Sequence, residues 1–218
     1  MNVLAFNGSP RKDWNTATLL EKALEGAASQ GAATDLIHLY DLRYTGCQSC
    51  FACKMTGGKS HGRCAVRDDL TPILEKVKEA DAIILGSPIY FGTVSGEMKS
   101  FLERLAFPYW TYTDPPQSLY PRRIQTGWIY TMNITEAQMH EVGYGIHFGV
   151  NERVLRIVFG ASESMRSCDT YQFEDYSKVV MTRFDPQKKA KRRAEVFPTD
   201  CRKAFEMGVR FATAGVSR

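Results

Sequence analysis

Asn2 to Phe6 is a short, mostly apolar run closed by Asn7-Gly8, the pattern of a buried strand. From Asn15 the pattern changes. Leu19, Leu20, Ala23, Leu24 and Ala27 recur at helical spacing and form one apolar face. Thr34 to Leu39 reads as a second strand. Ala82-Ile83-Ile84-Leu85 reads as a third, ended by Gly86-Ser87-Pro88. The next helix carries Met98, Phe101, Leu102, Leu105 and Ala106 as its stripe. Gln125 to Met132 is expected to be a fourth strand and Cys168 to Phe173 a fifth. Thr199-Asp200 is placed to cap a last helix with the stripe Ala204, Phe205, Gly208, Val209 and Ala212.

Strands that alternate with helices predict parallel strands joined by right-handed crossovers, with helices on both faces. The expected architecture is α/β: a three-layer sandwich around a five-stranded parallel sheet. The 218 residues suffice for one domain, 1–218, with no repeat and no evident linker. Two segments interrupt it. One is a cysteine-rich loop over 46–69. The other is an excursion over 109–123 holding Pro115-Pro116 and several aromatics, a candidate lid or dimer contact. Ligands of such sheets lie beyond the carboxyl ends of the strands, so the loops after the first, third and fourth strands hold the interest.

Composition adds little. At 44% hydrophobic and 24% charged, with a net charge of +4, the chain reads as a soluble globular protein. No apolar run is long enough to cross a bilayer, and the first residues lack a signal-peptide pattern, so a cytoplasmic location without membrane partners is expected. The basic run Lys188-Lys189-Ala190-Lys191-Arg192-Arg193 has no interleaved aromatics. It reads as a solvated face rather than a nucleic-acid contact, with the extra phosphate of NADPH as a third option. His38, His140 and His147 stand alone, so a hydrolase triad is not expected.

The first loop is Asn7-Gly8-Ser9-Pro10-Arg11-Lys12-Asp13-Trp14-Asn15-Thr16-Ala17-Thr18. It joins a strand to a helix N-terminus, whose free N–H groups suit an anion. Ser9, Thr16 and Thr18 offer hydroxyls, Asn15 an amide and Arg11 a charge. It lacks both the Gly-Lys-Ser/Thr ending of a nucleotide-triphosphate loop and the three glycines of a dinucleotide fingerprint. A monophosphate fits it better than a pyrophosphate. In the second loop, Pro88-Ile89-Tyr90-Phe91-Gly92-Thr93 sets aromatics and backbone N–H groups against glycines, a surface for a flat ring.

Together, Gly-Ser-Pro-Arg, Asn-Thr, Ser-Pro-Ile-Tyr-Phe-Gly and Met98-Lys99-Ser100-Phe101-Leu102-Glu103-Arg104 resemble the NADPH-dependent FMN reductase family, and within it the iron-sulfur flavoprotein branch. The resemblance is close over the first half and looser toward Asp169-Thr170-Tyr171-Gln172 and the last helix. It implies a flavodoxin-like sheet, noncovalent FMN and a homodimer or homotetramer. By position it implies phosphate contacts from Ser9, Arg11, Asn15, Thr16 and Thr18. It implies a ring bed of Pro88, Ile89, Tyr90, Phe91, Gly92 and Thr93, with the third loop reaching the ring near Thr131, Met132 and Asn133.

Cys47, Cys50 and Cys53 form a Cys-x2-Cys-x2-Cys run, and Cys64 supplies a fourth thiol for a [4Fe–4S] cluster. The gap from Cys53 to Cys64 is longer than in the cluster-bearing members that the chain resembles. Cysteines without metal, and zinc with His61 as a ligand, therefore stay open beside the cluster. Asp68-Asp69 should cap the next helix. Cys168 and Cys201 are expected in the core.

The function expected is oxidoreduction. Hydride from NADPH or NADH would reach the flavin, and the reduced flavin would pass electrons to a quinone, nitroaromatic, metal ion, free flavin or redox protein. Tyr90, Phe91 and Trp110 are the candidates to line the stacking space. Two alternatives are an electron carrier without nicotinamide turnover and a scaffold that has lost its cofactor.

Overall fold

The structure, a computed structural model, describes residues 1–214. Six strands form: β1 Asn2–Asn7, β2 Ala33–His38, β3 Ala82–Tyr90, β4 Thr93–Val94, β5 Gln125–Thr131 and β6 Glu163–Ser167. Seven α-helices accompany them: α1 Asn15–Ala28, α2 Leu70–Glu79, α3 Gly96–Ala106, α4 Glu136–Glu141, α5 Gly145–Phe159, α6 Pro186–Glu195 and α7 Phe197–Thr213. Five strands lie parallel in the order β2-β1-β3-β5-β6, while the short β4 turns back antiparallel on the end of β3. This is the doubly wound order of flavodoxin-like sheets, with the switch point between β1 and β3.

Strand periodicity builds the three layers. Val3, Ala5, Ala82, Ile84 and Ile129 face α1 and α7, while Leu4, Phe6, Ile83, Leu85, Trp128 and Tyr130 face α3 and α5. Both faces are buried, which explains why β1 and β3 read as continuous apolar runs. The helices α1 and α7 touch backbone to backbone. A Cβ on Gly208 would sit 1.7 Å from the Ala23 carbonyl oxygen, and one on Gly26 would sit 2.0 Å from that of Phe205.

Four expectations need correction. The fifth parallel strand is Glu163–Ser167, not Cys168–Phe173. Asp169 enters the left-handed region at φ 55° and ends the extended run, so Cys168 lies in a loop and is half-buried. The last helix starts at Phe197, with Pro198 in its first turn. Asp200 caps nothing there; it accepts from Ser167 Oγ at 2.7 Å and from Arg192. The buried face of α7 runs through Ala204, Met207, Gly208 and Phe211, which leaves Phe205 and Val209 half-buried. Finally, the excursion is neither lid nor stacking wall. Tyr109 and Tyr120 pack against Phe159 beneath the amino end of β5, and Trp110 pairs with Ser118. That is the end of the sheet opposite the strand carboxyl termini.

Candidate functional site

The loops after β1, β3, β5 and β6 meet at the carboxyl edge of the sheet around an open cleft of about 180 Å³. Its walls include Ser9, Arg11, Asn15 and Thr16 from the first loop, Pro88, Ile89 and Tyr90 from the second, and Met132 and Asn133 from the third. Trp14, Thr131, Thr170, Gln172 and Phe173 complete it. Four other residues expected at the site stand elsewhere. Thr18 turns its hydroxyl back to the Trp14 carbonyl at 3.0 Å, inside α1. Phe91, at φ 51°, is fully exposed, and Gly92 packs beside Tyr144. Thr93 pairs with Tyr90 as the β4 partner of β3.

The floor of the first loop is set by hydrogen bonds. Ser9 N–H donates to Asn7 Oδ1 at 2.9 Å, and Arg11 N–H donates to Ser9 Oγ at 3.1 Å. Gly8 N–H donates to the Gly86 carbonyl at 2.8 Å, and Ser95 Oγ donates to the Gly8 carbonyl at 2.6 Å. A Cβ on Gly8 would fall 2.7 Å from Met98 Cβ, so the loop can lie this close to α3 only with glycine.

These bonds leave the start of α1 open. No side chain caps that helix and its first turn has no acidic residue. Among the described residues, the N–H groups of Asn15, Thr16 and Ala17 have no protein acceptor. By contrast, α3, α4 and α6 are capped by Ser95, Thr135 and Asp185. Three free donors, a helix dipole and the nearby Arg11 make an anion cradle. Thr16 and Thr131 share a hydroxyl–hydroxyl bond of 2.8 Å that ties the cradle to the third loop. The opposite wall is apolar, and Asn133 Oδ1 beside it is buried without a partner. A phosphate at one end and a flat heteroaromatic ring at the other match this division of donors and apolar surface.

Arg11 spans the mouth. Its guanidinium donates to the Gln172 carbonyl and lies 5.4 Å from the Trp14 ring centroid and 6.0 Å from that of Phe173. Trp14 Nε1 and Asn15 Nδ2 both donate to the Tyr171 carbonyl, at 3.0 and 2.7 Å. Trp14 and the segment around Gln172 therefore belong to the wall. Only the loose likeness at Asp169-Thr170-Tyr171-Gln172 pointed to that segment, and nothing in the pattern singled out Trp14.

The basic run proves two-sided. Lys188 and Lys191 face solvent as expected. Lys189, Arg192 and Arg193 turn inward. Lys189 is 2% exposed, and burial pulls its pKa down against the opposing pull of Asp169.

The four cysteines border one small apolar pocket of about 20 Å³ against Glu103, Arg104, Phe107 and Pro108. This lies at the carboxyl end of α3, the end away from the cleft. Arg104 is wholly buried and clamps Asp68 at 2.8 and 3.0 Å, while its Nε donates to Cys64 Sγ at 2.9 Å. Glu103 accepts from Cys47 N–H at 3.1 Å. Asp68 also accepts from Leu70 N–H at 3.1 Å. Contrary to expectation, the N-cap residue of α2, Asp69, makes no capping bond and accepts from Arg43 N–H at 2.9 Å instead. Burial pushes the Cys53 thiol up. The donors suit an iron-sulfur cluster or zinc in kind. Their arrangement does not, because among the described residues no three metal-ligating side chains stand together.

The model of the NADPH-dependent FMN reductase family matches residues 1–120, more than half of the 218-residue chain. The chain belongs to that family. It is 43% identical over 104 residues to an iron-sulfur flavoprotein of Methanocaldococcus jannaschii, covering 48% of this chain and 51% of that protein. It is 42% identical over 104 residues to one from Archaeoglobus fulgidus, covering 48% of each. The chain thus spans about half the length of the curated relatives it matches. Among solved structures, an NAD(P)H:quinone oxidoreductase from Methanothermobacter marburgensis superposes with a TM-score of 0.71 at 14% identity, over 96% of this chain and 98% of that one. An FMN-dependent NADH-azoreductase from Bacillus anthracis, solved with FMN, superposes with a TM-score of 0.67 at 14% identity, over 98% and 100%. Both share the fold. No helix among the described residues is long and apolar enough to cross a membrane.

Proposed function

We propose that the chain is an FMN-dependent oxidoreductase that draws electrons from NADPH or NADH. The observation that carries this reading is the uncapped start of α1, opening into a cleft whose far wall is Pro88, Ile89 and Tyr90. Free N–H groups of Asn15, Thr16 and Ala17 hold the phosphate, with Ser9 and Arg11 at its flank. Pro88, Ile89 and Tyr90 bed the ring, and Met132 and Asn133 approach it from the third loop. When bound, FMN supplies the chemistry: it accepts hydride from a nicotinamide and passes electrons on. The protein side chains need only bind, orient and exclude water there, so no acid or base is assigned. Tyr90, at the end of β3, borders the mouth where nicotinamide and acceptor stack.

Two finer points belong to the same reading. Val142, Ile146 and Val150 are exposed on α5 and the turn before it, close to Tyr144 and the Phe91 turn. This apolar face is proposed to meet a second copy of the chain. The names of the relatives favour a second reading, an electron carrier with a [4Fe–4S] cluster, although the four cysteines as they stand do not form its ligand set.

Protein purified without oxygen decides between them. Yellow flavin bands with NADPH oxidation in the presence of a quinone or nitroaromatic support the reductase. A broad brown absorbance with stoichiometric iron and sulfide, and no nicotinamide turnover, supports the carrier. A colourless protein that takes up no added FMN sinks both.

A further inference from the structure

Helix α6 buries the wrong kind of residue for an ordinary core helix. Its alanines, Ala190 and Ala194, are exposed, and the one residue it fully buries is Lys189. The side chains it turns inward are Lys189, Arg192 and Arg193, which share a face at spacing 3 and 4. A helix docked through cations gains little from hydrophobic burial, and each desolvated charge carries a cost unless fully bonded. Here two of the three cations are bonded to the loops of the cleft.

Arg193 Nη1 donates to Asn15 Oδ1 at 2.8 Å, with its guanidinium 4.0 Å from the centroid of the Phe197 ring. Asn15 Nδ2 donates to the Tyr171 carbonyl at 2.7 Å, so the asparagine amide is held at both ends. Asn15 is the first residue of α1, and its backbone N–H is one of the three free donors of the cradle. Lys189 acts elsewhere. Its Nζ donates to the Asn133 carbonyl at 2.6 Å and to Asp169. Asp169 N–H donates to the Ile134 carbonyl at 2.7 Å, and Thr170 N–H to that of Met132 at 2.9 Å. Lys189 thereby locks the β6 loop onto the β5 loop under the ring end of the cleft.

We propose that Arg193 and Lys189 are positioning residues with separate duties: Arg193 sets the phosphate cradle through Asn15, and Lys189 sets the ring-facing loop through Asn133. The proposal rests on the flavin reading of the cleft. It gives a role to two of the three cations that the basic run turns against the fold.

The test compares FMN with riboflavin, which lacks the phosphate, on the full chain. Dissociation constants come from flavin fluorescence and are read beside thermal midpoints. Arg193→Gln should weaken FMN roughly tenfold or more, as loss of a hydrogen bond to a charged group does, and leave riboflavin within about twofold. Lys189→Met should weaken FMN and riboflavin by a similar factor. In an Asn15→Ala background the Arg193→Gln effect should vanish, because the two act through one bond. If Arg193→Gln does not fold, Arg193→Lys, which keeps the charge and loses the fork, is read in its place. Equal weakening of both ligands by the Arg193 variant, or no weakening of FMN, overturns the division of duties. A wild-type protein that binds neither flavin overturns the flavin reading itself, and the proposal with it.

Discussion

Burial decides how single side chains respond to pH. Tyr109 packs edge-on to Tyr120, with ring centroids 5.0 Å apart, and burial pushes its pKa from 10.0 up to about 12. Cys168, beside β6, is raised by burial from 9.0 to about 11. In both, the folded state favours the neutral form more than the unfolded chain does. Their contribution to stability is therefore complete below about pH 9 and is lost as pH rises through the folded values. Urea midpoints should be flat from pH 7 to about pH 9 and fall between about pH 9 and 12. Tyr109→Phe, which keeps the ring, should make the upper part of that fall shallower; an unchanged slope would show that Tyr109 is accessible to base. Single residues also mark the limits of sequence reading. Ser9, Arg11, Pro88 and Ile89 reach the cleft because each is local to a strand end, and Asn15 and Thr16 because they open α1. Thr18 misses it because a threonine in an early helical turn finds a backbone acceptor four residues back.

Elements were legible where one face is apolar and the other polar. Strand β1 and the helices α1 and α3 stand where the pattern put them, while β3 runs on through Gly86-Ser87-Pro88, expected to end it, as far as Tyr90. The edge strand β6, Glu-Ser-Met-Arg-Ser, has one strand neighbour and no apolar alternation, so the stronger-looking Cys168–Phe173 drew the assignment instead. Helix α5 carries apolar residues toward the core, at Phe148, Leu155 and Val158, and away from it, at Ile146 and Val150, which blurs its stripe. Helix α6 hides its inward face because that face is cationic. The contact of α1 with α7 gives the element-scale prediction. Gly208→Ala would set a methyl carbon 1.7 Å from the Ala23 carbonyl oxygen, and backbone cannot swing aside as a side chain can. The helices must part, at a cost of about 3 kcal/mol or more, the upper range for overpacking. Chemical denaturation should show the full loss. Gly96→Ala, at an open position in the first turn of α3, serves as the control and should leave the midpoint unchanged or raise it.

At the scale of the molecule, the cleft and the cysteine pocket sit at opposite ends of α3, and the outward face of α5 is exposed at Ile146 and Val150 among the described residues. Phe91, held at φ 51°, is fully exposed, and Ile146 on α5 is 74% exposed. A left-handed phenylalanine is strained, and its exposed ring is an apolar surface that a second subunit would cover. A stable interface needs roughly 1,000 Å² or more, an area that one helix face with the adjoining turn can reach when it is repeated about a two-fold axis. Light scattering on the eluting protein should therefore give a multiple of the chain mass. Ile146→Glu with Val150→Glu should yield monomers, since each two-fold contact meets the new charges twice. The thermal midpoint of the monomer's own transition should be unchanged, because neither side chain packs inside the chain. If that face also closes the mouth beside Tyr90, the monomeric variant should oxidise nicotinamide more slowly while its FMN affinity stays within about twofold of wild type, because the cradle at Asn15 and the ring wall at Pro88 and Ile89 are built from one chain. A wild-type monomer, or an oligomer that both glutamates leave intact, would place the contact elsewhere.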